Sequence, residues 1–213
     1  MLGGMTTAVL QSSLFDLADE IAVGPPAAAT REVLGRGAWI DVLPGWVTGA
    51  ESLFDQLVDQ VPWRGEQRQM YDRVVEVPRL LAFYDETDPL PHPALVEARS
   101  ALNRRYTAEL GEPFRTAGLC LYRDGRDSVA WHGDTIGRGK TEDTMVAILS
   151  LGAARSLLLR PRGGGATIRK QLGPGDLIVM GGSCQRTWEH SIPKTARPVG
   201  PRISVQFRPR GVR

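Results

Sequence analysis

Apolar residues recur at steps of three and four in the first half of the chain and alternate with polar ones in the second. Leu53, Phe54, Leu57 and Val58 share one face of a helix that follows Thr48. Thr48 reads as its N-cap, with Glu51 completing a capping box. Leu95, Ala98, Leu102, Tyr106 and Leu110 mark a second helix over residues 92–110. Residues 38–42 read as a short strand ending at Pro44-Gly45, and residues 63–84 as a loop-and-strand stretch. After Gly111 come eight short strand patterns, at 117–123, 129–132, 145–151, 156–160, 166–172, 176–180, 186–191 and 202–208, separated by glycine- and proline-rich turns. Short strands at this spacing indicate a sandwich or a closed jelly roll, with the preceding helices buttressing one face. The class predicted is α+β with a β-sandwich core. Residues 1–36, with Gly24-Pro25-Pro26 as a linker, read as an N-terminal extension to a domain over 37–213.

Composition narrows the setting. A chain of 213 residues, 42% hydrophobic and 23% charged, can bury a full core without disulfides or a structural metal. Cys120 and Cys184 are too few for a disulfide framework, which points to a reducing, cytoplasmic compartment. The start of the chain has neither a basic region nor a long apolar run, so neither secretion nor a membrane span is expected. The net charge of +2 hides an asymmetry. Residues 151–213 carry twelve cations against Asp176 and Glu189 alone, so residues 1–150 hold the other fourteen cations and 22 of the 24 acids. A basic final third fits an anionic partner, such as nucleic acid or a carboxylate cosubstrate, or else a solvated arginine face.

The candidate chemistry begins with the histidines, of which there are three. His132-Gly133-Asp134 follows a strand pattern, and residues two apart on a strand point the same way, so an imidazole and a carboxylate there can share a metal. The pair alone is a weak signal. A jelly roll can bring His190 beside it, completing two histidines and a carboxylate, a set that holds Fe(II) with open positions or, alternatively, zinc. The plain alternative is hydrogen-bonded core or surface residues. On the last strand Arg202, Ser204, Gln206 and Arg208 share a face. Arginines directed into a jelly-roll interior need an anion, and the guanidinium fork suits a carboxylate; otherwise this is the solvent face of an edge strand.

These residues resemble the AlkB-like Fe(II)/2-oxoglutarate dioxygenases. The resemblance runs from about residue 38 to 208, through Leu121-Tyr122-Arg123-Asp124-Gly125, then His132-x-Asp134, then Trp188-Glu189-His190-Ser191-Ile192-Pro193, then Arg202-x-Ser204-x-Gln206-x-Arg208. It implies a double-stranded β-helix (jelly-roll) core that uses Fe(II), 2-oxoglutarate and O2 to demethylate alkylated DNA or RNA. His132, Asp134 and His190 would bind iron. Arg202 would pair with the distal carboxylate of 2-oxoglutarate, Tyr122 would hydrogen-bond to it, and Arg208, Ser204 and Cys120 would complete that pocket.

Residues 61–90 resemble the family's substrate-recognition lid through Val77-Pro78-Arg79-Leu80-Leu81-Ala82-Phe83-Tyr84. Trp63, Tyr71, Arg79 and Tyr84 are the candidate substrate contacts, in which aromatics stack on an extruded base and arginines hold phosphates. Aromatics before a strand equally serve as core packing. Three departures from the family stand out: Cys120 where Asn is usual, Ser204 and Gln206 for Asn and Thr, and Ile136 where repair enzymes often carry an acid. The last leaves open an oxygenase acting on a protein or small molecule, and a nucleic-acid-binding module without catalysis is the reading from another class. A monomer with no membrane contact is expected.

Overall fold

The structure, a computed structural model, describes residues 20–70 and 73–212, in backbone only over 67–70 and 73–76. Its strands are Ala22–Val23 (β1), Thr30–Gly35 (β2), Ala38–Leu43 (β3), Val47–Thr48 (β4), Arg64–Met70 (β5), Arg73–Tyr84 (β6), Thr116–Tyr122 (β7), Val129–His132 (β8), Val146–Gly152 (β9), Arg155–Pro161 (β10), Ile168–Leu172 (β11), Leu177–Gly182 (β12), Trp188–Ile192 (β13) and Arg202–Arg208 (β14). Three α-helices accompany them among the described residues: Ala50–Gln60 (α1), Pro93–Leu110 (α2) and the single turn Cys184–Thr187 (α3). A major sheet of eight strands runs β2-β3-β12-β9-β14-β7-β6-β5, and a minor sheet of four runs β11-β10-β13-β8. The two face each other as a jelly-roll sandwich, with α1 and α2 on the outside of the major sheet, as the sequence pattern predicts.

Strand alternation sorts the side chains into two cores. Ala117, Leu119 and Leu121 of β7, Ala147, Leu149 and Leu151 of β9, and Ile203, Val205 and Phe207 of β14 pack under the helices against Leu53, Leu57, Leu95 and Leu102. The intervening positions, among them Cys120, Tyr122, Val146, Ile148, Ile178 and Met180, face the minor sheet and its Leu157, Leu159 and Ile192. Each fully buried leucine or phenylalanine contributes about 1.5–3 kcal/mol relative to an exposed one.

Several local expectations change. The expected break at residue 36/37 falls in the turn of a hairpin: β2 pairs with β3, and Arg36 (φ 56°) and Gly37 (φ 79°) make the reversal. Over its described part, the expected extension is therefore woven into the fold. β1 pairs with β4, and Trp46 Nε1 donates to the Gly24 carbonyl at 2.6 Å. β2 is an edge strand with exposed residues at most positions, so it lacks the apolar alternation by which a strand is recognised.

The capping box is not formed either. Pairing with Ala22 holds Thr48 in β4, its hydroxyl turns to the carbonyls of Glu20 and Ala22, and Gly49 caps α1 with φ 60°. A side chain at Gly49 would meet Glu20 O at 2.7 Å, so glycine is required twice over. α2 is capped by His92, whose Nδ1 accepts from Ala94 N at 3.1 Å. That leaves Nε2 to donate to Gln56 Oε1 at 3.2 Å, which ties α2 to α1. The loop-and-strand stretch is a long hairpin, β5–β6, that extends the major sheet past β7. The pattern expected as a strand from residue 186 starts as the turn of α3 and becomes a strand at Trp188.

The charge asymmetry is answered in part inside the molecule. Lys170 pairs with Glu32, Arg186 with Asp143, Arg208 with Asp134 and Arg210 with Glu86, each joining the basic third to the acidic remainder. No helix among the described residues is long and apolar enough to cross a membrane.

One buried polar network fastens α2 to the sheet. Asp41 of β3 is 2% exposed and accepts from Arg31 Nε at 2.7 Å, Arg31 Nη2 at 2.9 Å and Tyr106 Oη at 2.9 Å. A hydrogen bond to a charged group is worth about 1.5–3 kcal/mol. Tyr106→Phe, which removes one oxygen and little volume, is expected to destabilise the protein by about that amount. Urea unfolding measures it, and an unchanged midpoint would remove the network from the account of stability.

Candidate active site

The inner face of the sandwich carries a cluster that hydrophobic packing does not explain. His132 closes β8 directly opposite His190 of β13, with ring centroids 4.2 Å apart. Asp134 follows β8, and its Oδ1 lies 3.7 Å from His132 Nε2. One ligand atom from each of the three residues lies within 4.8 Å of the others, close enough for one cation to draw them into a shared shell. Protonation states suit a metal. His132 Nδ1 is 2.8 Å from the Ala130 carbonyl, which can only accept, so Nδ1 carries a proton and the neutral ring has its lone pair at Nε2. Burial and the neighbouring His132 pull His190 down to about 3, so its imidazole is neutral. Burial opposes ionisation of Asp134, but Arg208, His190 and His132 together outweigh it and hold the carboxyl at about 2.

Asp134 is locked by its surroundings. Its Oδ2 accepts from Arg208 Nε at 2.6 Å, which leaves Oδ1 toward the imidazoles. Its backbone N–H donates to Gln185 Oε1 at 2.8 Å, so the buried Gln185 of α3 fixes the loop. Gly133 permits this approach, since a Cβ there would meet Gln185 O at 2.3 Å.

The cluster opens onto a cavity with about 80 Å³ for the centres of water-sized groups. β14 supplies one wall. Because its odd residues lie under the helices, Arg202, Ser204, Gln206 and Arg208 face inward. Arg202 is 1% exposed, and its Nε donates to Ser150 Oγ at 2.9 Å. Its Nη1 is buried with no hydrogen-bond partner, and no carboxylate of the described residues pairs with it. Burial pulls this guanidinium below its ordinary value, an unfavourable state that an anionic ligand would offset. Tyr122 lies beside it, ring centroid 5.4 Å from the guanidinium carbon, and burial with the adjacent Cys120 pushes its hydroxyl up to about 12. At neutral pH that hydroxyl remains a donor. The pocket therefore has the donor set of an anion site next to a metal site. Val146, Ile148, Leu157 and Ile192 provide the apolar remainder.

Of the residues singled out from sequence, His132, Asp134, His190, Tyr122, Cys120, Arg202, Ser204, Arg208 and Arg79 all line this one cavity. Trp63 and Tyr84 do not reach it. Trp63 Nε1 donates to Val58 O at 3.1 Å at the end of α1, and both rings pack on the helix-side core. For Tyr84 the reason is parity: β6 pairs Leu80, Ala82 and Tyr84 with the helix-side residues Leu121, Leu119 and Ala117, so Arg79, five positions before Tyr84, takes the opposite face. Tyr71 lies outside the described residues.

Three supporting residues escaped sequence reasoning. Ser150 is the one polar residue among the inward positions of β9, a signal that alternation makes visible. Arg155 donates to the carbonyls of Asp124, Asp127 and Pro193 and so binds the loops before β8 and after β13. Nothing in the local sequence marks it, or Gln185, because their partners are backbone groups far along the chain.

Comparison with known proteins agrees with this geometry. The sequence profile of the 2OG-Fe(II) oxygenase superfamily matches residues 40–208. The chain is 32% identical over 190 residues to alpha-ketoglutarate-dependent dioxygenase alkB homolog 3 of Bos taurus, and 31% identical over 190 residues to that of Homo sapiens. Each alignment covers 78% of this chain and 64% of the relative, so the chain spans a little under two thirds of their length. It is 27% identical over 216 residues to DNA oxidative demethylase ALKBH2 of Arabidopsis thaliana, covering 82% of this chain and 67% of the relative.

Gly133 offers a test of how the metal cluster is held. Gly133→Ala forces α3 away from the loop that carries Asp134, with an overpacking cost of about 1–3 kcal/mol. A lower melting temperature together with weaker binding of a divalent metal in titration calorimetry is the expected outcome. Unchanged metal affinity would show that α3 does not position the ligand.

Proposed function

The chain belongs to the 2OG-Fe(II) oxygenase superfamily, and on that footing we propose that it oxidatively demethylates alkylated bases in nucleic acid, with Fe(II) and O2 and with 2-oxoglutarate as cosubstrate. The observation that carries this reading is the adjacency, in one cavity, of the His132–Asp134–His190 cluster and the buried, unpartnered Arg202. The cattle and human relatives, named alpha-ketoglutarate-dependent dioxygenases, support the cosubstrate, and the Arabidopsis relative, named a DNA oxidative demethylase, supports the choice of reaction.

His132 through Nε2, His190, and Asp134 through Oδ1 would hold the iron. When bound together, iron and 2-oxoglutarate supply an oxidant that hydroxylates an N-methyl carbon, and the product collapses to the bare base and formaldehyde. The rest is the work of the protein. Arg208 occupies Asp134 Oδ2, so the carboxylate offers one oxygen and leaves positions open. Arg202 pairs with the distal carboxylate of 2-oxoglutarate through the donor that now lacks a partner, while Ser150 holds its Nε and so its orientation. Tyr122, protonated at neutral pH, donates to the same cosubstrate, and Ser204 and Cys120 complete its wall. Val146, Ile148, Leu157 and Ile192 give the cosubstrate an apolar wall to pack against. On the hairpin side Arg79 faces the cavity: its Nη1 donates to the Ser128 carbonyl at 3.1 Å, and its buried Nε, which has no partner, supports a role in substrate contact.

A second reading retains the oxygenase and changes the substrate to a protein side chain or small molecule. It is favoured by Ile136, an apolar side chain 67% exposed two residues beyond Asp134.

The deciding assay gives the purified protein Fe(II), 2-oxoglutarate and ascorbate with a panel of methylated DNA and RNA oligonucleotides, scored by mass spectrometry. Loss of a methyl group with release of formaldehyde is expected. Turnover of 2-oxoglutarate with no response to any methylated oligonucleotide would move the assignment to the second reading. Asp134→Ala is expected to abolish iron-dependent turnover while the protein remains folded.

Removing one partner of a desolvated charge pair costs about 2–5 kcal/mol. Arg202→Ala should therefore raise the 2-oxoglutarate requirement by roughly 30-fold or more. Arg202→Lys should not restore it, because an ammonium lacks the fork. Wild-type dependence in Arg202→Ala would remove β14 from the cosubstrate site.

A further inference from the structure

Cys120 stands inside the cavity, and nothing in the proposed reaction needs a thiol. Its Sγ is 3.7 Å from Gln206 Oε1, a weak contact, and its neighbours across the sheet are Ser204 of β14 and Leu81 of β6. One step along the same inward face, Arg202 sits opposite Tyr122 with its Nη1 buried and without a partner. That orphaned cation calls for an anion in the cavity independently of the cysteine. Cys120 lines the same cavity and lies within electrostatic reach of that guanidinium. Solvent reaches this space at His132, whose side chain is 37% exposed. Cys184 is the contrast. It does not line the cavity, it is 2% exposed against 9% for Cys120, and burial together with the nearby Asp134 pushes its thiol up to about 12.

We propose that Cys120 is a redox modification site: hydrogen peroxide converts its thiol to a sulfenic acid within the cavity, and the added oxygen blocks 2-oxoglutarate. The thiolate sulfur attacks one peroxide oxygen, so an S–O bond forms and the O–O bond breaks. Sulfur loses two electrons, and the second oxygen leaves as hydroxide and takes a proton to become water. The new oxygen engages Arg202, which occupies the donor that the cosubstrate carboxylate requires. Two equivalents of a small thiol reverse the change, releasing water and a disulfide of the reductant. The identity of the blocked ligand rests on the function proposed above; the chemistry at sulfur does not.

The test uses the full chain loaded with Mn(II), a redox-quiet stand-in for Fe(II), exposed to hydrogen peroxide with a 1,3-diketone to trap sulfenic acid. Peptide mass spectrometry is expected to find the adduct at Cys120 and not at Cys184. Added 2-oxoglutarate should slow its formation by one plus the ratio of its concentration to Kd, roughly tenfold at ten times Kd. Without the trap, peroxide-treated protein should bind 2-oxoglutarate about tenfold or more weakly in calorimetry, with recovery after dithiothreitol. Cys120→Ser should give no adduct and retain its own 2-oxoglutarate affinity through peroxide. If that variant does not fold, protection of the wild-type thiol decides the matter.

No adduct at Cys120, adduct formed equally fast under saturating 2-oxoglutarate, or binding untouched by oxidation would each overturn the inference. Normal demethylation by a protein whose Cys120 resists peroxide removes this inference and leaves the function standing. Protection of Cys120 without demethylation of any oligonucleotide does the reverse.

Discussion

The register of β14 between β7 and β9 is the constraint on which the site depends, because one strand serves two interiors with opposite demands. Ile203, Val205 and Phe207 are fully buried under the helices, while Arg202, Ser204, Gln206 and Arg208 line the cavity between the sheets. A slip of one residue would drive two guanidinium groups into the helix-side core and turn three apolar side chains into the cavity. The alternation of the strand therefore sets its own register. The flanking strands reinforce it: each residue from Arg202 to Phe207 pairs on both sides, and Arg208 is paired with Thr116. Gly118, an inward position of β7, leaves room at the far end, since a Cβ there would lie 2.9 Å from Arg208 Nη1.

From that register follows the electrostatic character of the cavity. Arg208 reaches from the major sheet to Asp134 beside the minor sheet, so one ion pair links the two layers and aims the carboxylate. Arg202 is placed by the same strand but has no acid to meet. A buried cation without a counter-charge is unfavourable for the fold. Helix packing on the far face, and hydrogen bonds such as that to Ser150, hold it nonetheless. Under the proposed function, local stability is sacrificed here for recognition of the cosubstrate, the usual pattern at functional sites. Cys120, between these arginines on the inward face, inherits that environment.

Much of the fold was legible because its signals are local. Residues 129–132 and 202–208 are strands at the limits that alternation predicts, and α2 starts one residue past the predicted limit, at the proline after its cap. The two sheets and the outward helices follow from the order of these patterns. β2 and the β5–β6 hairpin were less legible because edge strands carry charged and exposed residues that resemble loop. Thr48 illustrates a local signal overridden from a distance: its capping potential was spent on β1.

The sequence by itself determined which residues are candidates for a metal and, on β14, for an anion, since residue type, spacing of two and alternation all act within a few positions. Only the tertiary structure decided which of them meet. Pairing of β8 with β13 brings His190 to His132 across 58 positions, and β14 brings Arg208 to Asp134. The partners that orient these groups, Ser150, Gln185 and Arg155, act through contacts 28 to 52 residues away, several of them with backbone atoms that bear no mark in the sequence. The aromatic candidates of the hairpin show the same limit. Trp63 and Tyr84 have the right chemistry for a base, but the pairing of β6 with β7 and the end of α1 turn both rings into the helix-side core. A side chain's face is fixed by strand pairing, and pairing is a property of the assembled sheet rather than of any one segment.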